Sequence, residues 1–140
     1  MSVFVMDASV GLKWFVPESH SDKAQRLQDP AHELHVPTLF DVELGNILWK
    51  KLRRAELTRA VADAILAQLP ALPLTRHPEA ELLPAAFDLA DRTQRTVYDS
   101  LYLALAVQLG CQVVTADLRW WNALQGTAWS GHILRVEDLP

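Results

Sequence analysis

Residues 3–9 read VFVMDAS: four apolar residues, broken by a carboxylate at Asp7 and followed by the hydroxyl of Ser9. Residues 112–117 read QVVTAD, another short β-branched run with a hydroxyl at Thr115 and an acid at Asp117. Short apolar runs of this kind read as buried strands. Each acid then has two readings. It caps the helix that follows its strand, or it stands at a sheet rim, where open α/β sheets bind ligands beyond the carboxyl ends of their strands.

The intervening chain supplies the alternation that such a sheet needs. Phe4 to Met6 reads as a strand, Ala8 to Phe15 as a helix stopped before Pro17, and Ser21 to Gln28 as a helix closed by Pro30. Leu34 to Val36 is a further strand. TLFDVELGNILWKKLRRAEL (38–57) carries apolar residues at helical spacing, with its basic residues at the C-terminal end, where the helix dipole favours them. Thr58 is placed to cap a helix reaching about Leu69, and Leu72 to Leu74 is a strand candidate. A helix is expected from near Pro78, with Pro84 disturbing its second turn. Tyr98 to Leu109 is an apolar helix ended by Gly110, Gln112 to Thr115 a strand, Asp117 to Leu124 a helix, and Ile133 to Val136 a last strand. Strands alternating with helices predict an α/β fold, a parallel sheet covered on both faces.

Composition narrows the class. A chain of 140 residues, 50% apolar and 21% charged, suits one globular domain spanning 1–140. No leader opens it, and no apolar run is long enough to span a bilayer, so a soluble cytoplasmic protein with no membrane contact is expected. The single cysteine, Cys111, excludes an intramolecular disulfide and reads as a buried, inert thiol. A net charge of −4 argues against a general polyanion binder. It still allows a local basic surface at Lys50, Lys51, Arg53 and Arg54.

Two further acids complete a pattern. Asp99 begins the helix YDSLYLALAVQL, and Glu43 sits in the semi-apolar turn LFDVELGNIL with Asn46 three residues on, sharing its face. Asp41, two residues away, is expected on the surface. Two strand ends, a helix start and a helix face can converge on one rim. Like charges held there repel, and a divalent cation resolves the repulsion. Oxygen-only ligands favour Mg²⁺ or Mn²⁺ over zinc. Such a metal lowers the pKa of water and offsets charge on an attacked phosphorus, so the chemistry implied is phosphodiester hydrolysis.

The set MDAS, PTLFDVELGNIL, TVYDSLYLALA and VTAD, in this order and spacing, resembles a PIN domain, and most closely the VapC-type toxins of toxin–antitoxin pairs. The resemblance runs from Val3 to about Arg135. It implies a three-layer α/β/α sandwich with a short, mainly parallel sheet and about seven helices. It implies that Asp7, Glu43, Asp99 and Asp117 are catalytic and hold Mg²⁺ or Mn²⁺. Ser9 and Thr115 would stand behind them or position water, and Asn46 would orient Glu43 or the site beside it. The activity implied is endoribonuclease, in a homodimer inhibited by a cognate antitoxin.

Rival readings are weaker. A dehalogenase-type phosphatase needs a second Asp where Ser9 stands, and a receiver domain needs a lysine after a late strand. A PIN-like interaction module without activity would lack an acid, and none is missing. HELH (32–35) has the wrong spacing and setting for a zinc helix, and His20, His77 and His132 read as solvated. Trp14 and Trp49 are expected in a groove or dimer surface, and the basic cluster is a candidate RNA contact.

Overall fold

The computed structural model describes residues 2–140, Met1 lying outside it. Five strands form one all-parallel sheet: β1 (Ser2–Met6), β2 (His32–Pro37), β3 (Thr75–His77), β4 (Gln112–Thr115) and β5 (Ile133–Arg135). Their spatial order is β3-β2-β1-β4-β5. The chain thus builds outward from β1 to one side, then returns to lay β4 against its other edge. Successive strand residues face opposite sides of a sheet. Val5 and Met6, like Val113 and Val114, are all fully buried, so helices cover both faces.

The helices are α1 (Ala8–Gly11), α2 (Ser21–Gln25), α3 (Leu39–Arg53), α4 (Arg59–Gln68), α5 (Glu79–Thr93), α6 (Val97–Leu109) and α7 (Leu118–Leu124). The α/β sandwich read from the sequence is the observed architecture. Helix α6 packs on β1, β2 and β4 with α5 against it, and is buried from Ser100 through Ala106. Its cap is Thr96, whose Oγ accepts from the Asp99 amide at 3.1 Å, and Gly110 ends it in the left-handed region at φ +66°. Helix α3 packs on α1 and β2 through Phe40, Leu44 and Leu48, one residue per turn.

Some expectations are corrected. The third strand lies at Thr75–His77 rather than Leu72–Leu74. Leu72 follows a 3-10 turn over Leu69–Ala71, and Pro73 has no amide to donate to a ladder. Helix α5 continues through Pro84, which lies on its exposed face. Asp41 is no free surface acid, since Arg76 grips it with two bonds of 2.7 and 3.1 Å. His77 pairs with His35 at 2.8 Å, and His132 Nδ1 lies 2.9 Å from the Cys111 carbonyl oxygen. Trp14 donates to the Ala24 carbonyl at 2.8 Å and packs on the core, leaving Trp49 as the exposed member of that pair.

One contact sets the position of α3. A Cβ added at Gly11 would stand 2.6 Å from the ring of Phe40, which is fully buried. The substitution Gly11→Ala is therefore expected to cost about 1–3 kcal/mol by overpacking. Denaturant melts would measure it, and combining it with Phe40→Leu should recover part of the loss. An unchanged midpoint in Gly11→Ala would contradict this packing.

A carboxylate rim at the switch point of the sheet

The strand order reverses between β1 and β4, the place where an open α/β sheet leaves a crevice at its carboxyl edge. Asp7 and Asp117 follow these two strands. Met6 pairs with Val114, so Asp7 comes level with Thr115. Thr115 Oγ1 donates to Asp7 Oδ2 at 2.6 Å, and the Asp117 amide donates to Thr115 Oγ1 at 3.0 Å. Ser9 binds Asp7 Oδ1 through its amide at 2.8 Å and through its hydroxyl, while the Ala116 amide donates to Ser9 Oγ at 3.1 Å. The hydroxyls of Ser9 and Thr115 thus stitch the two strand ends together around one carboxylate.

Both acids also cap helices. Asp7 accepts from the amides of Ser9 and Val10, and Asp117 from those of Arg119 and Trp120. The capping and rim readings therefore describe the same side chains. For Asp7, four hydrogen bonds favour the ionised form, yet burial outweighs them and pushes its carboxyl up to about 6.

Helices α3 and α6 bring the other two acids. Burial raises Glu43, and Asp7 and Asp99 add to the effect. Burial raises Asp99 as well, opposed by Arg95 and reinforced by Asp117. All four sequence-predicted carboxylates therefore share one rim. Asn46 is exposed and makes no hydrogen bond to Glu43 among the described residues, and it lines the cavity beside Glu43.

Two residues of the rim were missed by sequence reading. Arg95 bridges the outer acids, its Nη2 standing 3.0 Å from Asp99 Oδ2 and 3.5 Å from Asp117 Oδ2. Tyr102, one turn inward from Asp99 on α6, is buried beside Glu43, and its hydroxyl lacks a partner of good geometry. Burial and the Glu43 charge raise the phenol's pKa, so it remains a proton donor. Position i+3 from Asp99 was the available signal for Tyr102, and i−4 for Arg95.

The donors are all hard oxygens, as Mg²⁺ or Mn²⁺ prefers. Among the described residues no three carboxylates or imidazoles close on one point as a ready-made cage. Magnesium commonly takes one or two carboxylates and keeps several waters, so an open rim with an orphaned hydroxyl suits it. The histidine cluster is separate: His35 lies between Glu33 at 2.6 Å and His77 at 2.8 Å on the far strands.

Along the exposed face of α3 the basic cluster begins one to two turns beyond Glu43. Lys51 pairs with Glu18 and Glu56, whereas Lys50, Arg53 and Arg54 have no carboxylate partner among the described residues. Arg53 stacks over Trp49 at 5.0 Å.

The PIN domain family model matches residues 4–124. Ribonuclease VapC3 of Pyrobaculum aerophilum is 40% identical over 115 residues, covering 81% of this chain and 88% of that one. A crystal structure from the same organism superposes with a TM-score of 0.66 at 26% identity, covering 99% of this chain and 86% of the other. A toxin–antitoxin complex from Klebsiella pneumoniae contains a chain of the same fold, with a TM-score of 0.61 at 10% identity over 94% of this chain and 96% of its own.

The raised carboxyl of Asp7 gives a pH test. Its proton is held more tightly in the folded chain, so ionisation opposes folding: the favourable contribution is full below about pH 4 and is lost as pH rises through about 6. Relative to Asp7→Asn, the metal-free wild type should lose roughly 2–3 kcal/mol between pH 4 and 7. Denaturant titrations of both proteins across that range would show it, and parallel pH profiles would refute it.

Proposed function

Because the chain belongs to the PIN domain family, we propose that it is a metal-dependent endoribonuclease acting as the toxin of a VapBC-type toxin–antitoxin pair. The observation that carries this reading is the meeting of Asp7, Glu43, Asp99 and Asp117 at the switch point of the sheet, with burial raising three of them. An oxygen-rich, electron-dense crevice with too much negative charge for its solvation asks for a divalent cation. The relative named a ribonuclease supports the hydrolase class. No acid of the set is missing, which disfavours a silent interaction module.

In this reading Mg²⁺ or Mn²⁺ supplies an activated water and offsets the charge that develops on the phosphate. Asp7, Glu43, Asp99 and Asp117 are the residues that would hold the ion. Thr115 and Ser9 keep the Asp7 carboxylate in one orientation, so no rearrangement is needed when the ion arrives. Tyr102 keeps its phenolic proton beside Glu43, where it favours the ionised carboxylate. Arg95 neutralises the outer acids in the metal-free protein, and must give up part of that contact for both to turn inward.

The partners follow from the same reading: RNA as substrate, a cognate antitoxin as inhibitor, and a second copy in a homodimer. An RNA substrate makes the cytoplasm the working compartment. Among the described residues no helix is long and apolar enough to cross a membrane.

Asp7→Asn and Asp99→Asn should each abolish Mn²⁺-dependent cleavage of single-stranded RNA while the fold persists. Thr115→Val should lower it about 10–100-fold, the usual cost of losing a residue that supports a ligand. Full cleavage by both purified carboxylate variants would sink the assignment. Arg95→Ala should lower the metal-free melting temperature and enlarge the rise produced by Mn²⁺, because the outer acids lose their internal counter-ion. An unaltered Mn²⁺ shift would show that Arg95 does not compete with the ion.

A further inference from the structure

Between the acidic rim and the basic end of α3 lies an open cavity of about 540 Å³, within the range of small-ligand sites. Leu39, Val42, Glu43, Asn46 and Lys50 of α3 line it, and Tyr98 of α6 stands opposite in sequence from them, beside Asp99. Tyr98 is 61% exposed and Val42 69%, although both are large apolar side chains next to the crevice. The cavity is chemically graded. It has a carboxylate of the rim at Glu43, an aromatic ring and apolar wall at Tyr98 and Val42, and an unpaired cation at Lys50.

Glu43, Asn46 and Lys50 follow one helix face, and seven residues of helix carry the cation about 10 Å from the acid. Lys50 also lines two adjoining cavities, one with Trp49, Arg53 and Arg54, the other with Ser9 and Lys13. It therefore joins the acidic rim, through Ser9, to the cationic strip. A nucleotide suits this lining: one phosphate at the rim once a cation is bound there, a planar base against the Tyr98 ring, the next phosphate at Lys50. An acidic peptide has no planar base to lay on the exposed ring of Tyr98, and a purely apolar one would bury Lys50 and Asn46 without partners.

We propose that this cavity is a base-binding subsite, in which Tyr98 stacks on the base of a nucleotide flanking the scissile phosphate and Lys50 takes a backbone phosphate. The proposal rests on the ribonuclease reading above and deepens it. Stacking requires an unpaired base, so the substrate at this point is single-stranded. Asn46, with a donor and an acceptor on one exposed amide, is the residue placed to read the edge of that base. Tyr98 and Lys50 are then binding and specificity residues, and the acids alone face the reacting atoms.

The test uses the full chain with Mn²⁺ and a single-stranded 20-nucleotide RNA whose cut site has been mapped. Versions of the RNA lacking the base on either side of the cut are compared with it. Tyr98→Ala should raise KM about 10–100-fold with little change in kcat, and Tyr98→Phe should stay near wild type, because stacking needs the ring and not the hydroxyl. Removing one of the flanking bases should weaken wild type by the same factor and weaken Tyr98→Ala no further. An unchanged KM in Tyr98→Ala, or losses from the variant and the missing base that simply multiply, would overturn the subsite. So would a change in sedimentation of Tyr98→Ala with KM unaltered, which would assign the ring to a protein contact. Failure of the wild type to cut the RNA at all would instead remove the ribonuclease reading on which the subsite stands.

Discussion

A carboxylate buried at the end of the central strand is the constraint from which the rest of the site follows. Hydrogen bonds to an ionised carboxyl lower its pKa, and Asp7 collects them from two hydroxyls and two amides. That its pKa nonetheless rises to about 6 shows which effect wins: the loss of water at the switch point exceeds what the local donors return. Structural capping alone would be served better by an exposed Asp or by Ser, at no such cost. The buried charge makes sense as stored electrostatic demand. In the proposed function a cation arriving from outside would relieve it, and the donors already in place keep the carboxylate aimed.

The four acids divide unequally. Asp99 and Asp117 share Arg95, so the outer half of the rim has an internal counter-ion. Asp7 and Glu43 have none, and each is raised chiefly by burial. The inner half is therefore where the need for positive charge is greatest, and it is also where the Tyr102 hydroxyl lacks a partner. The arginine-bridged pair is half-buried, so water and salt screen it only in part. Its value lies in letting two acids remain close before any metal binds.

Much of the site was legible in the sequence because its signals are short-range. A strand that ends in an acid, as at Asp7 and Asp117, is visible in six residues. So is an acid on an apolar helix face, as at Glu43. The parallel sheet followed from the alternation of elements for the same reason. What could not be read depends on neighbours distant in the chain. Arg95 acquires its role only when α7 brings Asp117 beside Asp99, and Asp41 its partner only when β3 delivers Arg76. The third strand was displaced because apolar Leu72 and Leu74 contribute to the core from loop conformations, leaving polar Thr75–His77 to pair with β2. Propensity favoured the leucines, and the missing amide of Pro73 decided against them.

Helix α3 ties the two chemistries together. Phe40, Leu44 and Leu48 seat one side of it, with Phe40 closed against Gly11 of α1, the helix that Asp7 caps. The axial position of α3 is therefore fixed relative to the same strand end that carries Asp7. The neighbouring side presents Glu43, Asn46, Lys50 and Arg54 at helical spacing, so the distance from acid to cation is set by the backbone and not by flexible loops. A rigid ruler of this kind suits a flexible polyanion: under the proposed subsite, the phosphate that reaches the acids would be determined by the one resting at Lys50. With an overall charge of −4 the protein has no long-range attraction for RNA. Under the proposed function, binding would then come from this short, local gradient of charge, and a strand that could not place a phosphate at each end of it would gain little from either.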